Sequence, residues 1–72
     1  MTSDEIRREI ERCDREIENA IAAQRIAKED GDRASLDLTV IYEMDWLVTR
    51  LGLEEDLELA IARDAAEERR AA

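Results

Sequence analysis

With 72 residues the chain has room for one small domain, and 20 acidic against 11 basic side chains leave it at −9. That sign argues against direct nucleic-acid binding, which needs a basic footprint, and the absence of histidine removes the commonest general base and metal ligand. A chain this short buries only about 60% of its unfolded surface, so it needs tight packing or self-association.

The negative charge is spread along the chain. Residues 1–30 hold nine acids and six bases, 31–51 four and two, and 52–72 seven and three. No apolar run approaches the ~18 residues that cross a membrane. The first residues lack a basic stretch leading into an apolar one, so no signal peptide is expected. Cys13 is the only cysteine, which offers no disulfide framework and points to a reducing compartment. The expected location is the cytoplasm.

The only glycines are Gly31 and Gly52, and proline is absent. A glycine just past a periodic run is a helix stop, because the left-handed turn is open to a residue without Cβ. The glycines therefore predict three helices, at about 2–30, 32–51 and 53–70. The expected fold is an all-α antiparallel three-helix bundle, a long helical hairpin plus a shorter third helix, in one domain spanning 1–72.

The first segment opens on Thr2 and Glu5, which fit a capping box, with Ser3 as the alternative cap. Ile6, Ile10, Cys13, Ile17, Ala20, Ile21 and Gln24 share one stripe at 100° per residue. Asp4–Arg8 and Glu11–Arg15 are spaced as i,i+4 ion pairs. From Asn19 to Ala27 the segment is apolar around most of its circumference, and Ile26 points off the stripe.

Asp32 is the expected cap of the second segment, and the short connection before it implies an antiparallel hairpin. Leu36, Val40, Ile41, Met44, Leu47, Val48 and Leu51 form a broad aliphatic face. Leu38, Tyr42, Trp46 and Thr49 form a second stripe roughly opposite, with Asp45 at its edge. In the third segment Leu53, Leu57, Ala60 and Ile61 make a thin stripe ending at Asp64. Glu54, Glu55 and Asp56 suit its first turn, and Arg69 and Arg70 its last. Heptads do not persist over the three or four repeats that define a coiled coil.

The chain offers little catalytic machinery. It has no glycine-rich phosphate loop and no nucleophile elbow. Its many carboxylates read as a solvated surface, and Glu54-Glu55-Asp56 lacks the spacing of a calcium loop. Cys13, on the apolar stripe, reads as a core side chain. Gln24 and Asp64 lie within their own stripes and must find hydrogen-bond partners. No catalytic, cofactor or metal residue is assigned.

Ile6-Arg7-Arg8-Glu9-Ile10 through Cys13-Asp14-Arg15-Glu16-Ile17 resembles the opening helix of the all-helical chorismate mutases. In that family an early arginine binds substrate carboxylate, and the resemblance would give this role to Arg7. Gln24 stands where the family has a second arginine. Its later lysine and its second-helix aspartate, arginine and glutamate have no counterpart here. The likeness covers some 15 residues.

The functional expectation is a non-enzymatic protein–protein interaction module, a small regulator or inhibitor of a larger protein, of the kind found among phage and bacterial accessory proteins. Leu38, Tyr42, Asp45, Trp46, Thr49 and Ile26 are its expected partner-binding residues. Tyr42 and Trp46, the only aromatics, either close the core against the third segment or anchor a partner. Acidic side chains would steer a basic partner, and surplus apolar surface suggests a homodimer. The alternatives are a self-assembling structural bundle, of natural or designed origin, and an acidic mimic of nucleic acid that blocks a DNA- or RNA-binding protein.

Overall fold

The computed structural model describes residues 1–71 and contains two helices, α1 (Ser3–Asp30) and α2 (Arg33–Ala71). They form a long antiparallel hairpin of 61 × 14 × 12 Å. This corrects the expected three-helix bundle: the second and third segments are one helix of 39 residues.

Both ends of the hairpin turn follow from the local sequence. Gly31 adopts φ 67°, and its N–H bonds the carbonyls of Ala27 and Lys28, which closes α1 with a left-handed cap. Asp32 then starts α2, with its Oδ1 accepting from the Ser35 N–H at 3.1 Å and its Oδ2 accepting from the Ser35 hydroxyl at 2.6 Å. At the other end of α1, Thr2 Oγ1 accepts from the Glu5 N–H at 3.2 Å and donates to the Glu5 carboxylate. Ion pairs on the first half of α1 are i,i+3, Asp4–Arg7 and Glu9–Arg12, rather than the expected i,i+4 set.

Gly52 does not stop a helix. Its φ is not positive, and no atom lies within 4 Å of where a Cβ would stand. The reason is length. α1 has 28 residues, about 42 Å of helix, whereas a second helix ending at Leu51 would run only about 30 Å. Continuing through Gly52 carries Leu53, Leu57 and Ala60 along the N-terminal half of α1, where Ile6 and Cys13 are buried. A mid-helix glycine costs about 1 kcal/mol relative to alanine, less than leaving those side chains uncovered. Glu54, Glu55 and Asp56 are consequently mid-helix residues, not the first turn of a third helix.

The seam between the helices has heptad spacing, contrary to the sequence expectation. On α1 the buried residues Ile6, Cys13, Ala20 and Ala27 recur every seven positions. On α2 the covered positions include Thr39, Glu43, Trp46, Arg50, Leu53, Leu57, Ala60 and Asp64, alternating steps of four and three, with Ser35, Leu36, Glu54, Ala65 and Ala66 partly covered beside them. The repeat is hard to see in the sequence because its positions carry Ala, Thr, Gln, Glu and Arg as often as large aliphatics. The core is thin: the buried apolar residues are Ile6, Cys13, Ala20, Ala27 and Ala60.

Polar side chains bond across the seam. Gln24 Nε2 donates to Glu43 Oε1 at 2.9 Å and to the Thr39 carbonyl at 3.4 Å. Arg50 Nε donates to Asp14 Oδ1 at 2.7 Å, and its guanidinium also meets Glu54 one turn on. Ser3 Oγ donates to Asp64 Oδ2 at 3.4 Å near the open end. Gln24 and Asp64 thus find the partners their stripe positions require.

Candidate interaction surface

Two flanks of the hairpin carry exposed apolar side chains. The seam and the cross-helix bonds define them. Arg12 and Glu16 of α1 meet Trp46 and Tyr42 of α2 on one flank. Asp14 meets Arg50 toward the other.

The aromatic flank holds the residues expected to bind a partner. Tyr42 and Trp46 pack edge to face, with ring centroids 6.1 Å apart at 71°. The Arg12 guanidinium lies 5.7 Å from the Trp46 ring centroid, a cation–π contact worth about 0.5–1 kcal/mol at an exposed site. Tyr42 donates its hydroxyl proton to Glu16 Oε2 at 2.8 Å. Neither ring is fully buried: Trp46 is half-buried, and Tyr42 is 46% exposed. The rings pack on α1, not on a third helix. Leu38 is 67% exposed. Ile26 lies at the same level of the hairpin as Leu38 and turns to the same side, as the Gln24–Thr39 register requires. Asp45 and Thr49 are exposed, and Thr49 Oγ1 donates to the Asp45 carbonyl at 2.9 Å, a back-bond within the helix.

The aliphatic flank is larger. Val40, Ile41, Met44, Leu47, Val48 and Leu51 are between 37% and 68% exposed. They cover about 17 Å of α2 with no charged side chain among them on that face. Val40, Met44, Leu47 and Leu51 step by four, three and four, a second heptad-spaced stripe that is only partly covered. Ile17 and Ile21 stand on the same side of α1 as Asp14, toward which Arg50 reaches. The aliphatic surface of α2 therefore continues onto α1.

Among the described residues, two open grooves accompany these surfaces, one bordered by Met1, Ile6, Asp56, Leu59, Ala60 and Arg63, another at the turn beside Ala27 and Leu36. Among the described residues no three Cys, Asp or Glu side chains cluster to hold a metal ion, and no helix is long and apolar enough to cross a membrane. Cys13 is 1% exposed. Burial pushes its thiol pKa up, and the Glu9 and Asp14 carboxylates push it further, against Arg12 and Arg50. This is a packing thiol rather than an activated nucleophile.

No protein-family model, no curated protein and no solved structure matches the chain.

Proposed function

We propose that this hairpin is a protein–protein interaction module whose principal contact surface is the aliphatic flank of α2. One observation carries the reading: six large aliphatic side chains, Val40, Ile41, Met44, Leu47, Val48 and Leu51, form a continuous helical stripe that stays 37–68% exposed in the hairpin. Scattered exposed apolar residues are ordinary on small proteins, but a contiguous stripe at heptad spacing marks a docking face. The net charge of −9 keeps the free chain soluble and attracts basic partners at long range. The aromatic flank, Ile26, Leu38, Tyr42 and Trp46 with Asp45 and Thr49 beside them, is a second and smaller contact surface.

The test is native mass measurement in extract of cells expressing the protein. The wild-type chain should migrate in an assembly larger than 8.3 kDa. The Ile41→Glu/Val48→Glu double variant should migrate alone while keeping its helical circular dichroism. A wild-type chain that stays alone in the extract refutes the reading.

A further inference from the structure

We infer that the partner on the aliphatic flank is a second copy of this chain, so that two hairpins form a four-helix bundle. The inference rests on the interaction-module reading and names the occupant. Three observations select it. The first is area. The hairpin exposes 5562 Å², whereas a compact monomer of 8.3 kDa exposes about 4,600 Å². The surplus of about 1,000 Å² is close to the ~800 Å² that each partner contributes to a standard interface.

The second is spacing. The Val40-Met44-Leu47-Leu51 steps repeat the alternation that already joins α2 to α1 along Thr39, Glu43, Trp46 and Arg50. A helix face with that spacing fits another helix face. The stripe meets its own copy about a two-fold axis, aliphatic to aliphatic, with Ile17 and Ile21 of each α1 at the edge.

The third is the thin core. Among the described residues Ile6 is the one large aliphatic side chain that is buried, and the lone Cys13 closes no disulfide. Small folds without such staples gain their missing burial by association. Pairing through the aliphatic flank leaves Leu38, Tyr42 and Trp46 on the outside.

Charge makes the occupant testable. Two copies at −9 each repel, so added salt should tighten a homodimer, whereas it would weaken a complex with a basic partner. Sedimentation equilibrium of the purified chain, over a range of concentration and sodium chloride, should show a species of twice 8.3 kDa whose dissociation constant falls as salt rises. Ile41→Glu/Val48→Glu should raise that constant roughly 100-fold or more. A mixture of isotope-labelled and unlabelled wild-type chains should give intermolecular nuclear Overhauser contacts among the Val40, Ile41, Leu47, Val48 and Leu51 methyls. That measurement does not depend on the variant folding. A chain that sediments at 8.3 kDa throughout overturns the second copy, while the module reading still stands or falls on assembly in the extract. A dimer whose intermolecular contacts lie at Leu38, Tyr42 and Trp46 instead also overturns it.

Discussion

Single side chains do most of their work at the turn and along the seam. Asp32 is the clearest case. It accepts from both the hydroxyl and the N–H of Ser35, and these bonds hold its carboxyl below the usual aspartate range. A carboxylate whose folded pKa is depressed stabilises the fold at every pH above its unfolded value, near 3.8. That stability is lost as pH falls through the lower, folded value. Asn caps as well as Asp but does not titrate. Asp32→Asn should therefore keep most of the neutral-pH Tm and show a shallower fall below about pH 4 than wild type, whereas Asp32→Ala should lower Tm at neutral pH. Calorimetry from neutral to acid pH, taken as the difference between wild type and each variant, checks the sign. Cys13 is the opposite kind of residue: it fills a seam position flanked by Arg12 and Arg50 and serves as a small hydrophobe.

At the scale of the helices, the two glycines look alike in sequence and differ in the fold. Gly31 sits at positive φ, where a Cβ is strained whatever the space around it. Gly52 sits in ordinary helix with open space where its Cβ would be. The same substitution should then have opposite effects. Gly31→Ala should destabilise the hairpin by about 1 kcal/mol, and Gly52→Ala should stabilise it by about 0.5–1 kcal/mol. Thermal unfolding of the two variants reads both signs. A destabilising Gly52→Ala would mean that the chain turns there after all. The Gln24–Glu43 and Arg50–Asp14 bonds complete the picture at this scale. They satisfy polar side chains within the seam, in a register already set by the short Gly31-Asp32 turn.

For the whole molecule the decisive quantity is surface. A rod 61 Å long and 14 Å thick cannot shelter the apolar side chains that this sequence carries. If two hairpins share the aliphatic flank, folding and association are one equilibrium. The Tm should then rise by several degrees over a roughly hundred-fold increase in protein concentration. Scanning calorimetry at the two ends of that range measures it, and a Tm that stays constant would show that each hairpin folds alone.

The sequence by itself determined the helical class, the cap at Thr2, the turn at Gly31-Asp32, the inward side of Ile6 and Cys13, and an apolar excess on the second segment. Each of these rests on local chemistry: side-chain periodicity, a cap oxygen, a residue free to adopt positive φ. Whether Gly52 turns the chain was not local. It depended on whether α1 needed a partner along its whole length, and only the paired helices decide that. The same pairing decided which apolar stripe faces inward. The mixed polar seam of Gln24, Glu43, Trp46 and Arg50 took the inside because it matches α1 in register and hydrogen bonding. The stripe from Val40 to Leu51, more hydrophobic by composition, was left to the surface.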